Sequence, residues 1–242
     1  MTISILTLFP EMFTGPFHHS IIKRAQEKNL VTIDLVNIRN FASGRYKSVD
    51  DHPYGGGVGM ILRADVIDKA INSVTPGLTR NDTHVVLLDP RGKTFTQAKA
   101  RTYSTLDRLV LICGHYEGVD ERVRHLADES VSIGDYILTG GEIPAMVIAD
   151  SVVRLLPGVL KIDATQNESF SLHPPNARVS NLPILEYPQY TRPQVYRGMK
   201  VPEILLSGDH NAIHTWRQEE QMKPKIQRRG GVRTVIPRGP TA

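Results

Sequence analysis

Residues Cys113 to Pro144 read CGHYEGVDERVRHLADESVSIGDYILTGGEIP, and within them IGDYILTGGE sets Gly134, Gly140 and Gly141 with Asp135 and Glu142 directly after an apolar, strand-like segment. Glycine is costly inside a packed element, so such a run marks backbone that turns with φ > 0 or comes close to something bound. A surface turn would account for one or two of these glycines. Here the pattern recurs: Cys113-Gly114-His115-Tyr116-Glu117-Gly118 follows the apolar run RLVLI at 108–112, and Asp89-Pro90-Arg91-Gly92-Lys93 follows HVVLL at 84–88. Three strand-then-loop units set three loops on one edge of a sheet, and ligands of open α/β sheets collect outside the carboxyl ends of the strands. The expectation is a pocket built by these loops.

Outward from this block, the first 160 residues alternate β-rich runs with helical patterns: 3–8, then 20–29, 31–36, and 64–74 before 84–88. That alternation predicts an α/β fold, a parallel sheet with helices on both faces. Residues 96–106 and 119–127 read as further helices, and 143–156 as a longer one that Pro144 opens and Pro157-Gly158 stops. Residues 161–183 lose periodicity and carry Pro174, Pro175 and Pro183, which reads as an interdomain linker. Beyond it, 202–206 and 211–222 look helical, with Asp209 as a cap for the second. The expected division is a cofactor-binding α/β domain at 1–160, the linker at 161–183, and a small basic helical domain at 184–242 that holds nucleic acid.

A chain of 242 residues with 40% hydrophobic and 22% charged content has the make-up of a soluble globular protein. It has no run of eighteen apolar residues, and its start, MTISILTLFP, lacks the basic region and cleavage site of a signal peptide. A cytoplasmic location is expected. The one cysteine, Cys113, allows no internal disulfide and no cysteine-rich zinc site. Net charge is +4, and its distribution is uneven: residues 1–160 carry 17 Lys+Arg against 18 Asp+Glu, while 161–242 carry 12 against 7. The excess ends in Arg217, Lys223, Lys225, Arg228, Arg229, Arg233 and Arg238, either a solvated tail or the footprint of a phosphate-bearing partner.

Other readings of the motifs fail on spacing or context. Gly92-Lys93-Thr94 imitates the end of a phosphate-binding P-loop, but that motif requires glycine at position 87, which is Leu. The GGGVG at 55–59 follows the polar stretch KSVDDHPY, whereas a dinucleotide fingerprint follows a strand. His210 and His214 share the i, i+4 spacing of metal ligands, and His18 and His19 are adjacent, yet neither pair has a third ligand evident in sequence.

The loops, together with PYGGGVGM (53–60), LLDPRGKTFTQ (87–97), RLLPGVL (154–160), YPQYTRP (187–193) and VPEILLSGDHNAIHTWR (201–217), resemble the bacterial tRNA (guanine-N1)-methyltransferases, knotted enzymes of the SPOUT class. These blocks run in the family's order over nearly the whole chain. The resemblance implies methyl transfer from S-adenosylmethionine to N1 of the guanine immediately 3′ of the anticodon in tRNA. It also implies a deep trefoil knot, a homodimer whose site combines the knot of one subunit with the C-terminal domain of the other, and a role for Mg²⁺. Two alternatives stay open: a knotted methyltransferase acting on another RNA, and a non-catalytic RNA-binding protein.

Guanine N1 bears a proton, so its methylation calls for a base and for a donor that holds charge moving toward O6. The resemblance assigns the donor to Arg154, which on sequence alone reads as a helix C-terminal cation. It assigns the base to Glu168, where the family has Asp-Ser-Phe and this chain has Glu168-Ser169-Phe170; Asp163 is the other candidate. Cofactor-binding positions carried over are Pro90, Gly114, Ser132, Ile133, Gly134, Asp135, Tyr136, Ile137, Leu138, Gly140, Gly141 and Pro144. Tyr116, Glu117, Arg192, Arg228 and Arg229 are the expected RNA contacts. A second departure is His115, which stands where the family has Arg.

Overall fold

A computed structural model of the chain describes residues 1–77, 83–161, 164–165, 168–170 and 185–222. The chain divides into two compact units, Met1–Thr165 and Gln166–Ala242. In the first, β1 (Thr2–Thr7), β2 (Thr32–Asn37), β5 (His84–Thr94), β6 (Arg108–Cys113) and β7 (Glu129–Ser132) form one sheet. Its order is β2-β1-β6-β5-β7 and every pairing is parallel. A small antiparallel pair, β3 (Asp50–Asp51) with β4 (Ile61–Leu62), lies outside it.

Successive strand side chains point to opposite faces, and the two faces carry two separate cores. Ile3, Ile5, Val86, Leu88, Leu109 and Leu111 pack with α1 (Thr14–Phe17), α2 (Ser20–Glu27), α4 (Gln97–Tyr103) and α5 (Glu142–Val153). Leu6, Val85, Leu87, Val110 and Ile112 pack with Val66, Ile67 and Ala70 of α3 (Ala64–Val74). Each such buried Ile or Leu contributes about 1.5–3 kcal/mol, so the central strands, apolar on both faces, fix the sheet. The mixed α/β architecture with helices on both faces agrees with the sequence pattern.

Two elements differ from expectation, each for a local reason. Strand β5 runs on to Thr94 where the apolar run stops at Leu88, because its register against β7 shifts between Leu88 and Lys93. The intervening Asp89-Pro90-Arg91-Gly92 bulges out, and Gly92 passes so close to β7 that a Cβ would stand 2.4 Å from the Val131 nitrogen. The helix expected over 119–127 shortens to a 3₁₀ turn, Glu121–His125. Asp120 caps its first turn through the Arg122 N–H at 2.9 Å, while the Asp128 carboxylate already accepts the Val85 N–H at 2.7 Å. Little chain remains for a longer helix between those two anchors.

In the second unit, β8 (Val195–Tyr196) and β9 (Met199–Lys200) make a hairpin whose turn, Arg197-Gly198, takes φ of 48° and 77°, as a two-residue hairpin loop demands. The stretch 202–206 is a 3₁₀ turn, Glu203–Leu206, and the terminal helix spans His210–Met222. Asp209 caps that helix, accepting the N–H groups of Asn211 and Ala212 at 3.0 Å each. The Arg217 guanidinium lies 4.8 Å over the Tyr187 ring and holds the preceding segment to the helix. No helix among the described residues is long and apolar enough to cross a membrane.

Candidate functional site

In the parallel sheet, β5 bulges after Leu88, β6 ends at Cys113 and β7 at Ser132, so the loops that follow emerge side by side. They enclose a cavity of about 280 Å³, near the lower end of small-molecule pockets. Pro90, Gly114, Ser132, Ile133, Gly134, Tyr136, Ile137, Leu138, Gly140, Gly141 and Pro144 all line it. Asp135 is not among the lining residues. Tyr116 and Glu117, expected as RNA contacts, line this same cavity.

Backbone contacts stitch the loops together. The Gly141 N–H donates to the Gly114 carbonyl at 2.8 Å, and His115 bridges Gly140 in antiparallel fashion. Ser132 Oγ accepts the Gly134 N–H at 3.2 Å and donates to the Gly134 carbonyl at 3.0 Å, closing a tight turn. Tyr116 adopts φ of 58°, a left-handed conformation that a bulky residue keeps only where its surroundings impose it. Behind this loop lies the stretch 53–60: the Glu117 N–H donates to the Met60 carbonyl at 3.1 Å, and a Cβ at Gly59 would stand 2.5 Å from Glu117 Cγ. The glycine cluster that fails as a dinucleotide fingerprint is thus a buttress for the pocket wall.

Charged side chains brace the β5 bulge. Burial alone would raise the Asp89 carboxyl, but hydrogen bonds from the Arg91 N–H and side chain, with the Arg124 guanidinium alongside, hold it below its ordinary range. Arg124 also bonds Ser130 Oγ at 3.0 Å and pairs with Glu121 at 3.0 Å. Deeper in, Glu142 opens α5, is 2% exposed, and accepts the Thr7 hydroxyl at 2.7 Å. Burial and this carboxylate push the Cys113 thiol well up, so Cys113 is no nucleophile.

Sequence reasoning did not single out Leu88, Asp89, Gly118, Val131 or Thr139, and treated His115 only as a departure, yet all six line the cavity. Their signal was position: each lies within two residues of one that was assigned to the site. Other assigned residues lie elsewhere. Arg154 caps the C-terminus of α5, and twelve helical residues put it roughly 18 Å from the end that meets the pocket. Glu168 and Arg192 belong to the second unit, where Arg192 is exposed. Arg228, Arg229 and Asp163 lie outside the described residues.

A second cavity of about 360 Å³ is lined by His84, Lys99, Tyr103 and Glu129, residues that start β5 and β7 or belong to α4. Its polar groups already satisfy one another. Glu129 accepts from Tyr103 Oη at 2.6 Å, from His84 Nε2 at 3.0 Å and from Lys99 Nζ. Burial opposes its ionisation, but these three donors bring its carboxyl down to about 2. That closed network is a structural brace, and the loop pocket is the candidate site. Among the described residues no group of three metal-ligating side chains comes together.

Comparison with known proteins agrees with the motifs. Relatives named tRNA (guanine-N(1)-)-methyltransferase include one from Geobacillus kaustophilus, 53% identical over 231 residues, covering 95% of this chain and 90% of the relative. Those from Carboxydothermus hydrogenoformans and Bacillus cereus are each 50% identical over 231 residues, again covering 95% of this chain and 86% and 90% of the relatives. The family model for tRNA (Guanine-1)-methyltransferase TrmD matches residues 1–233, and the chain belongs to that family.

Proposed function

We propose that the protein transfers a methyl group from S-adenosylmethionine to N1 of the guanine immediately 3′ of the anticodon in tRNA. The observation that carries this reading is the cavity at the carboxyl edge of the sheet, walled by backbone from three loops and lined by nearly every position that family resemblance assigns to the cofactor. A Cβ at Gly141 would stand 2.6 Å from Cys113 Cα, so the wall exists only because residue 141 lacks one. Exposed amides and carbonyls of such loops suit the hydrogen-bonding edge of adenine, and Leu88, Ile133, Ile137 and Leu138 offer apolar contact. When bound there, the cofactor supplies an electrophilic methyl group that needs no further activation.

The chain's own task is to prepare the acceptor. In this reading Glu168 takes the N1 proton and Arg154 donates to O6 as charge moves onto it. Arg154 stands at the far end of α5 from its own pocket, and in this reading both groups meet the methyl donor across a subunit interface, as the family resemblance implies. On that resemblance we assign the working form to a homodimer, with the loops of the first unit knotted and the second unit of the partner, basic tail included, supplying the RNA contacts. Helix α5 supports this: it is apolar on nearly every side, yet Ile143 and Val147 stay 45% and 41% exposed in the single chain. Mg²⁺ finds no matching ligand cluster among the described residues. A cytoplasmic location fits a tRNA substrate.

The test is incubation of the protein with labelled S-adenosylmethionine and unmodified tRNA transcripts bearing G or A immediately 3′ of the anticodon. Label in the G transcript alone, mapped to N1-methylguanine, is the expected result. Label in ribosomal RNA but not tRNA, or tRNA binding with no label, would overturn it.

A further inference from the structure

His115 stands on the pocket wall with one ring nitrogen unaccounted for. Its Nδ1 is buried and has no hydrogen-bond partner among the described residues. It lies 3.8 Å from Glu142 Oε2, within reach of an ion pair and too far for a hydrogen bond. Glu142 is buried, and the Thr7 hydroxyl holds its other oxygen at 2.7 Å. Gly140 makes the approach possible: a Cβ there would stand 2.4 Å from Glu142 Oε2 and 2.6 Å from His115 Nδ1. The imidazole is flanked by the rings of Phe9 at 4.8 Å and Tyr116 at 5.0 Å. The charged or titratable groups around the pair are Glu142 from α5 and, from the histidine's own loop, the Tyr116 phenol and the Cys113 thiol, which burial and Glu142 keep protonated; the same cavity wall also carries Glu117 of that loop, Asp89 of the β5 bulge and Tyr136. Phe9, Thr7 and Gly140 bring no charge.

An orphaned ring nitrogen facing a buried carboxylate is poised to carry a proton. The rest of the ring, with the side chain 21% exposed, forms part of the cavity wall. We propose that His115 is a proton-gated anion-binding residue: as an anionic group of a ligand enters the pocket, His115 takes up a proton from solvent, turns Nδ1–H to Glu142 and donates Nε2–H to the anion. No ligand bond is made or broken, and the proton returns to solvent when the ligand leaves. Glu142 is then a positioning residue, acting through the imidazole. Arginine at position 115 would be a permanent cation, whereas the His115–Glu142 pair supplies equivalent charge only with an anion in place. The shared ligand chemistry is an oxyanion. Resting on the function proposed above, its two sources are the amino-acid carboxylate of the methyl donor and a phosphate of the RNA.

Calorimetry on the full chain separates these possibilities. S-adenosylhomocysteine, which keeps the carboxylate, and an anticodon stem-loop RNA would each be titrated in buffers of different ionisation enthalpy between about pH 5 and pH 8, where histidine changes charge. The protein should take up one proton on binding, with affinity falling by up to about tenfold per pH unit across the upper part of that range. His115→Gln, His115→Arg and Glu142→Gln should each bind with no uptake; should the buried Glu142→Gln fail to fold, the two His115 variants decide alone. Uptake with S-adenosylhomocysteine but not RNA identifies the carboxylate, and the reverse identifies the phosphate. Binding without uptake by the unaltered protein, or uptake that persists in both His115 variants, overturns the inference and leaves the proposed function standing. If neither ligand binds, the proposed function falls and this inference with it.

Discussion

The Gly141 amide donates to the Gly114 carbonyl at 2.8 Å, and the same close approach leaves no room for a side chain: a Cβ at 141 would meet Cys113 Cα at 2.6 Å and the Gly114 nitrogen at 2.9 Å. Both obstacles are backbone of β6 and its loop, which cannot swing aside as a flexible side chain can. Gly141→Ala should therefore part the second and third loops, at a cost of about 1–3 kcal/mol in stability, the usual scale for overpacking. Its melting temperature should no longer rise with saturating S-adenosylmethionine, whereas that of the unaltered protein should. A full ligand-induced shift in Gly141→Ala would mean that the cofactor lies elsewhere.

Glu129 should make the first unit sensitive to acid. Burial disfavours its charged form, but hydrogen bonds from Lys99, Tyr103 and His84 win and hold it at about 2, below its ordinary 4.5. A carboxylate with a depressed folded-state value adds stability above the unfolded value and loses it as pH falls through the folded one. The loss should thus run from about pH 4.5 down to about pH 2. Glu129→Gln should be less stable by about 1–3 kcal/mol near neutrality, because buried donors lose their acceptor. Urea titrations across that range should show a flatter pH dependence than for the unaltered protein, and parallel curves would remove the network from the account.

The legible parts of the fold were those in which one local signal dominates. The apolar runs at 84–88 and 108–112 fixed two adjacent strands because both of their faces are buried, Leu87 against α3 and Leu88 against α4 and α5. Asp209 was readable as a cap because it stands directly before the helical pattern. Less was readable where distant segments decide the outcome. The extension of β5 to Thr94 depends on Gly92 passing the Val131 backbone, and the buttress role of Gly59 depends on Glu117, contacts between residues far apart in sequence. Glu142 was read only as an acid within a glycine-rich stretch; its pairing with Thr7 spans 135 positions and left no local trace.

The tail carrying Arg228 and Arg229 lies outside the described residues, but its charge permits a thermodynamic prediction. Replacing both arginines by Ala should weaken all substrate tRNAs about equally, and the log–log dependence of affinity on salt should flatten by roughly 0.7 for each single-stranded phosphate that is no longer neutralised by an arginine. Filter binding at several salt concentrations would read the slope. An unchanged slope would make the tail a bystander.

Glu168 sits in the second unit, where the neighbouring Ser169 Oγ accepts the Glu186 N–H at 3.0 Å and fixes that part of the chain. As the proposed base it should be indispensable to turnover and irrelevant to cofactor binding. Glu168→Gln keeps the side chain's size but cannot accept the N1 proton, so single-turnover methylation should slow by about 10² to 10⁴. Glu168→Asp tests reach separately from basicity. A nearly active Glu168→Gln beside an inactive Asp163→Asn would move the role to Asp163.

Subunit mixing tests the proposed composite site directly. Gly141→Ala removes the pocket and keeps Glu168, while Glu168→Gln does the reverse, so each homodimer should be inactive. After exchange of subunits, half of the dimers are mixed, and each mixed dimer holds one intact pocket facing one intact Glu168 across the interface. Equal amounts of the two variants should therefore recover about a quarter of the unaltered activity, the statistical value for a two-fold symmetric dimer. If each pocket used the base of its own chain, every site in every dimer would lack one component, and the mixture would show no more methylation than the sum of its parts. Crosslinking before mixing should block the recovery, because only exchanged subunits can bring the two intact halves together.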